Sequence, residues 1–184
     1  PGVPRRIAEE SAAFAPADKP AGVLEIGPGV GALTQYLCRN YDKVVAVEID
    51  RGLIPLLSES LAEYDNVTVI NGDVMDFDIN ELINEHFEGM DVCVCANLPY
   101  YITTPILMLL LESGIKFTSI TVMVQNEVAS RLAAPAGKSD YGAITAVLGY
   151  YGTVKKLFKV SAGSFLPPPK VDSAVVRIDI YDEP

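Results

Sequence analysis

Asn97-Leu98-Pro99-Tyr100 is the stretch of this 184-residue chain whose residue types and order could do chemistry. It follows an apolar run, Val92-Cys93-Val94-Cys95-Ala96, that reads as a buried strand ending in a tight polar turn. Pro99 fixes its own φ and biases Leu98 away from helical geometry. The turn is therefore stiff. It can hold the Asn97 side-chain oxygen and the Leu98 carbonyl at one spot, with the Tyr100 ring beside them. Two acceptors and an aromatic face suit a planar amine and the ring that carries it. Taken alone, four residues read more simply as a strand-to-helix turn with a core tyrosine, so the elements that would position them must decide.

Those elements begin with Gly22 to Ile26, a first parallel strand. The loop Gly27-Pro28-Gly29-Val30-Gly31 follows, and then Ala32 to Cys38 with helical spacing. Strand, glycine loop and helix form a nucleotide-type arrangement in which glycines let backbone approach a ligand closely. The spacing is G-x-G-x-G, so the dinucleotide pyrophosphate fingerprint is not met. Glu25, just before the loop, would repel a diphosphate and welcome an ammonium or sulfonium group. Val44 to Asp50 is the second strand and places Glu48 where a ribose-binding carboxylate belongs. Asp50 is expected to cap a helix from Arg51 to Tyr64. Val67 to Ile70 is the third strand, followed by Gly72-Asp73; an aspartate there can accept from the exocyclic amine of a purine. Glu48 as a solvated strand end and Asp73 as a turn cap are the plainer readings of each residue alone. Both together behind a glycine loop favour a nucleoside site. Ligands of open α/β sheets sit outside the carboxyl ends of the strands, and the glycine loop, Glu48, Asp73 and Asn97 all fall at such ends.

The rest of the chain continues the α/β alternation. Pro4 to Glu10 could start a short helix, and Pro16 and Pro20 punctuate a loop. Ile79 to Phe87 is a helix and Asp91 to Ala96 the fourth strand. Thr104-Pro105 is expected to open a helix through Glu112, with threonine as cap and proline at the first position. Ser119 to Val124 is strand five, Gln125 to Arg131 begins a helix, and Ala143 to Tyr150 is helical. Thr153 to Val160 and Ser173 to Ile180 read as a hairpin-like pair of strands. Between them lies a proline-stiffened loop headed by Phe165, which would serve as a plug on the sheet edge or as a stacking platform for a base. Gly137-Lys138-Ser139 lacks the preceding G-x-x-x-x of a phosphate loop and is rejected as one.

Composition narrows the classes. The formal charge is −10, which argues against a simple nucleic-acid binder. It is uneven: residues 1–127 hold 7 basic and 19 acidic side chains, and residues 128–184 hold 7 and 5. An acidic half suits a cationic small ligand. Three cysteines and no leader pattern point to a reduced cytoplasmic setting. Cys93 and Cys95 read as core, since one histidine, His86, and no second cysteine pair make a poor metal set. No metal is expected, and the apolar run Ile106 to Leu111 is far too short to span a membrane.

At this point the residues resemble a known family. Glu25-Ile26-Gly27-Pro28-Gly29-Val30-Gly31-Ala32-Leu33-Thr34 is similar to the cofactor motif of the ribosomal RNA adenine dimethyltransferases of the KsgA/Dim1 type. Val47 to Asp50, Gly72-Asp73, Asn97 to Tyr100, Gln125 to Arg131, Tyr141-Gly142 and Phe165 to Ser173 resemble its later motifs in order, over nearly the whole chain. The resemblance implies a class I S-adenosylmethionine-dependent methyltransferase fold: α/β, Rossmann-like and doubly wound, with a mostly parallel seven-stranded sheet and one antiparallel strand near an edge. Residues 1–21 would be an N-terminal segment lacking the family's upstream Gln-Asn-Phe-Leu motif. Residues 22–184 would be the catalytic domain, without the family's helical C-terminal domain.

The implied activity is transfer of the sulfonium methyl of S-adenosyl-L-methionine to adenine N6, twice per base, in small-subunit ribosomal RNA during ribosome biogenesis. The partner would be ribosomal RNA or the small-subunit precursor, the protein a cytoplasmic monomer with no membrane contact. Glu25, Gly27, Gly29, Gly31, Glu48, Asp73, Val74 and Asn97 would bind the cofactor. Asn97, Leu98, Pro99, Tyr100 and Phe165 would form the catalytic set, with Tyr100 and Phe165 on the two faces of the target base. Asn-Leu-Pro-Tyr and the closing Val171-Asp172-Ser173 look more like the housekeeping small-subunit enzymes than the resistance enzymes that methylate large-subunit RNA. Those enzymes, DNA adenine methyltransferases, and a non-catalytic assembly or transcription factor on the same fold are the competing readings. The glycine spacing and the missing catalytic His or Tyr-Lys pair speak against a nicotinamide dehydrogenase.

Overall fold

A computed structural model describes residues 2–13, 18–138, 142–164 and 168–182, with the side chain of Tyr100 outside the description. The expectations placed on Pro16, Tyr141, Phe165, Leu166 and Pro167 lie outside the described residues.

The chain runs α1 (Gly2–Ala12), β1 (Ala21–Ile26), α2 (Thr34–Asn40), β2 (Lys43–Glu48), α3 (Ile54–Ser60), β3 (Val67–Asn71), α4 (Ile79–His86), β4 (Asp91–Asn97), α5 (Tyr100–Glu112), β5 (Ser119–Gln125), α6 (Asn126–Leu132), α7 (Ala143–Tyr151), β6 (Gly152–Val160) and β7 (Ser173–Ile180). The strands form one seven-stranded sheet in the order β3-β2-β1-β4-β5-β7-β6. The first five are parallel, and β7 runs antiparallel to both β5 and β6. This is the expected doubly wound sheet with one reversed strand near an edge.

Burial explains why the apolar runs became central strands. Every residue of β1 is buried, as are all but the ends of β4 and β5. Parallel strands covered by helices on both faces need apolar side chains on both. On one face Leu24, Ile26 and Val94 pack with Leu82, Phe87, Ile106 and Leu110 from α4, α5 and the turn between α4 and β4. On the other Val23, Cys93 and Cys95 pack with Ile7 and Ala8 of α1 and Leu37 of α2. The three cysteines are free and buried, and burial pushes the Cys38 thiol up to about 12. The Ser11 hydroxyl from α1 meets the Tyr41 hydroxyl at 2.5 Å and accepts from the Cys95 thiol at 3.1 Å. The Cys-x-Cys pair is therefore core, as its setting implied.

Three element boundaries differ from expectation. Strand β2 ends at Glu48, and Asp50 caps a 3-10 turn, Arg51–Leu53, by accepting from Gly52 N–H at 2.8 Å. The long helix expected from Arg51 to Tyr64 is only Ile54–Ser60, opened by Pro55 in its first turn. Helix α5 begins at Tyr100, not at a Thr104 cap, and Pro105 lies inside it. The reason is the corner itself: Pro99 is extended at φ −55, ψ 138, and the Ile102 N–H and Thr103 hydroxyl both close onto its carbonyl, at 3.1 and 3.4 Å. The helix starts on that carbonyl. Pro105 forgoes the hydrogen bond to the Tyr101 carbonyl and crowds it, and Tyr101 is 85% exposed.

Candidate active site

The three loop glycines all hold positive φ, +74 at Gly27, +60 at Gly29 and +90 at Gly31, a region that side chains with a Cβ avoid. Their surroundings separate their roles. A Cβ at Gly31 would stand 2.9 Å from Ser60 Oγ, so this glycine lets α2 approach α3. A Cβ at Gly27 would meet the Asn97 carbonyl at 3.2 Å, so this one brings the loop against the Asn97–Pro99 corner. At Gly29 a Cβ would meet nothing within 4 Å. That position opens onto the cavity and is the backbone a ligand can reach.

Two cavities flank the corner. The smaller, about 290 Å³, is lined by Gly29, Glu48, Ile49, Asp73, Val74, Leu98 and Tyr101, together with Gly27 and Asn97. The larger, about 660 Å³, is lined by Glu25, Pro28, Leu33, Met123, Phe158 and residues of α1, again with Gly27 and Asn97. Gly27 and Asn97 thus stand where the cavities meet, and Glu48, Asp73 and Asn97 share one cavity.

The carboxylates differ in what holds them. Glu48 is buried and each of its oxygens accepts a backbone N–H at 2.9 Å, Oε1 from Gly29 and Oε2 from Asp50. That pins the glycine loop to the end of β2. Asp73 accepts from the Met75 N–H at 2.9 Å and caps the turn Val74–Asp76. It both caps that turn and lines the smaller cavity. Glu25 is 1% exposed and accepts from the Thr34 hydroxyl at both oxygens, Oε2 at 3.1 Å. Burial pushes its carboxyl up to about 7, against the pull of the Thr34 hydrogen bond, and the Glu48 charge adds to the rise. In the ligand-free protein Glu25 is therefore not the fixed anion that its place before the loop suggested.

Asp172, just before β7, holds the end of β6 and the start of α6. Its Oδ1 accepts from Ala162 N–H at 2.8 Å, its Oδ2 lies 3.2 Å from Lys159 Nζ, and its carbonyl accepts from Asn126 N–H at 2.9 Å. The Ala162 N–H first and the Lys159 ammonium second hold this carboxyl below the usual range. Asp172, in the motif noted at Phe165 to Ser173, is thereby tied to Asn126 in the motif noted at Gln125 to Arg131.

A family model described as ribosomal RNA adenine dimethylase matches residues 6–184. The chain belongs to the ribosomal RNA adenine dimethylase family. It is 51% identical over 162 residues to the ribosomal RNA small subunit methyltransferase A of Alkaliphilus oremlandii, covering 88% of this chain and 56% of that protein. It is 52% identical over 159 residues to the protein of the same name in Bacillus cereus, covering 86% and 54%. The chain thus spans about half the length of the curated relatives it matches. Among solved structures it resembles a dimethyladenosine transferase from Plasmodium falciparum, at TM-score 0.82, 30% identity and coverage of 99% and 62%. It also resembles the 23S rRNA methyltransferase ErmE, at TM-score 0.83, 29% identity and coverage of 100% and 69%. The sheet order and the reversed strand are those of the class I methyltransferase fold.

Several site residues escaped the sequence reading. Helix α1 lines the larger cavity through Val3, Pro4, Arg6 and Ile7, and no local motif marks it. Asn71 donates to the Glu48 carbonyl at 2.8 Å and buttresses that strand end. Gly72, already noted with Asp73 in the sequence, is needed because a Cβ there would stand 2.7 Å from the Phe77 ring, a contact that the sequence did not show. Among the described residues no group of His, Cys, Asp and Glu could hold a metal ion, and no helix is long and apolar enough to cross a membrane.

Proposed function

We propose that this chain is the catalytic part of an S-adenosylmethionine-dependent adenine N6,N6-dimethyltransferase acting on small-subunit ribosomal RNA in ribosome biogenesis. The observation that carries the reading is Asn97 standing where two cavities meet, with Glu48 and Asp73 in one and Glu25 in the other. Identity of 51 and 52% to proteins named for the small subunit, against 29% to one named for 23S rRNA, favours small-subunit RNA over the large-subunit alternative.

The residues present fit the cofactor. The open position at Gly29 and the positive φ values make the cradle. Glu48 would accept from the ribose hydroxyls, Asp73 from the adenine amine, and Ile49 and Val74 would line the faces of that ring. The Gly27–Gly31 backbone would carry the methionine part, beside Glu25. When bound, S-adenosylmethionine supplies an electrophilic sulfonium methyl.

The protein's own work lies at the corner. The lone pair of adenine N6 is shared with its ring, so the amine is a poor nucleophile. The Asn97 side-chain oxygen and the Leu98 carbonyl would accept its two hydrogens, letting the nitrogen pyramidalise and aim its lone pair. No strong base is required, because the proton becomes acidic once nitrogen is alkylated. Positioning of this kind supplies several kcal/mol of barrier lowering. A base that leaves its stack to react needs support on its faces, the role assigned to Tyr100 and Phe165.

The test is Asn97→Ala in the full-length protein, with methyl transfer to small-subunit RNA and calorimetric binding of S-adenosylmethionine measured side by side. Transfer is expected to disappear while donor affinity stays within a few-fold. Normal turnover by the variant overturns the assignment, and transfer to 23S RNA alone redirects it.

A further inference from the structure

We propose that Arg6 and Lys159, on the rim of the larger cavity, form a subsite for the phosphodiester next to the base presented at Asn97. The inference rests on the reading above that this cavity receives an adenine of RNA.

The two arginines of α1 are used differently. Arg5 Nε lies 2.7 Å from Glu9, an exposed pair one helical turn apart, and Arg5 does not line the cavity. Arg6 does, and its guanidinium carbon sits 4.0 Å from the centroid of the Phe158 ring across the cavity mouth. Its nearest carboxylate, Glu10, is 3.9 Å from Nε, beyond hydrogen-bond length. A guanidinium stacked on an aromatic face keeps its in-plane N–H groups directed outward, and that fork matches two phosphate oxygens at once.

Strand β6 is shaped to supply the other half. Its register against β7 slips between Lys156 and Phe158, a bulge of the kind that re-aims side chains beside active sites. Phe158 and Lys159, which follow it in regular register against Val175 and Ala174, both line the cavity. Lys159 Nζ is steadied at 3.2 Å by Asp172, and an ammonium has three donors.

Charge decides the ligand. The chain carries −10 overall, yet the ionisable side chains of this cavity are Glu25, Arg6 and Lys159 among the described residues. Glu25 is buried at the floor, while the side chains of Arg6 and Lys159 are 55 and 57% exposed. Exposed cations of this kind add little to stability. What they offer, beside the Glu10 and Asp172 carboxylates at 3.9 and 3.2 Å, is a pair of exposed cationic N–H donors at the mouth of a cavity on an acidic protein, from which a backbone phosphate beside a flipped base can accept.

The experiment follows binding of a labelled short single-stranded RNA with one unpaired adenine, by fluorescence anisotropy across a salt series, for the wild type, R6Q, K159Q and R5Q. Each neutralised phosphate contributes roughly 0.7 to the slope of log affinity against log salt for a single strand. R6Q and K159Q are each expected to flatten the slope by about that amount, and R5Q to leave it at the wild-type value. A methylphosphonate beside the adenine should flatten the wild-type slope and leave that of the R6Q/K159Q double variant unchanged. Slopes unaltered in R6Q and K159Q, or no RNA binding by the wild type, overturn the subsite. So does loss of S-adenosylmethionine affinity in R6Q by calorimetry, which assigns the cations to the donor's carboxylate. If the slopes change as expected while the wild type transfers no methyl, the subsite stands and the proposed reaction fails.

Discussion

Replacing Glu25 by glutamine should stabilise the ligand-free protein, and the gain should depend on pH. The folded-state carboxyl is raised from 4.5 to about 7, chiefly by burial. A raised carboxyl pKa means that the folded state holds its proton longer than the unfolded chain. The associated stability is complete below pH 4.5, declines as the unfolded chain ionises first, and is fully lost once pH passes about 7. A tenfold difference in proton affinity is about 1.4 kcal/mol, so the whole interval is worth about 3 kcal/mol at pH 8 and about 1 kcal/mol at pH 5. Glutamine keeps the shape and can still accept from the Thr34 hydroxyl, and any packing difference it brings is the same at both pH values. The readout is therefore the difference: E25Q should gain about 2 kcal/mol more relative to the wild type at pH 8 than at pH 5. Urea denaturation at the two pH values measures it, and in melting temperature the increment is about 4 to 8 °C for a chain this long. An identical stability difference at pH 5 and pH 8 would refute the buried, proton-holding Glu25. The same logic makes binding of a sulfonium at that cavity release a proton, which calorimetry in buffers of different ionisation enthalpy reads directly.

The other predictions concern the frame around the site. Gly31→Ala combines a φ of +90 with a Cβ 2.9 Å from Ser60 Oγ and should cost about 2 to 3 kcal/mol in urea denaturation. Gly29→Ala, with φ +60 and open space, should cost only about 1 kcal/mol, yet weaken S-adenosylmethionine binding more than its stability loss explains; equal stability costs would remove the distinction between the two glycines. Gly72→Ala drives a methyl into the Phe77 ring and should cost about 1 to 3 kcal/mol, with Phe77→Leu on that background recovering part of it. Additive losses in the double variant would show that the two do not touch. Glu48→Gln turns an amide N–H₂ toward a backbone donor at Gly29 or Asp50 and should cost about 1 to 3 kcal/mol at neutral pH. A variant as stable as the wild type would mean that those two hydrogen bonds are not held.

The succession of strands and helices, a hairpin-like last pair of strands, and the meeting of Glu48, Asp73 and Asn97 in one cavity were legible in the residues, while the reversed strand near the edge was what the family resemblance implied. The cause is local: apolar runs of strand length, a glycine loop, and acidic or amide residues at each strand end follow from the chain's own periodicity, and a parallel sheet brings such ends to one edge. Boundaries were less legible. Helix α5 starts at Tyr100 because the Pro99 carbonyl collects the first-turn donors, whereas Thr104-Pro105 carries the stronger local signal for a helix start. What no local pattern could carry is the state of a group set by residues far along the chain. Glu25 reads as an anion beside a glycine loop, and burial under the packed sheet and helices, against the opposing pull of the Thr34 hydroxyl, makes it a proton-holding acid near neutrality. Arg6 and Phe158 are about 150 positions apart, and their stacking exists only because α1 folds across the mouth that β6 closes. Sequence by itself determined the elements and the rim they share. Tertiary structure decided which charges survive there, because desolvation and cation stacking depend on neighbours that the chain brings together only when it folds.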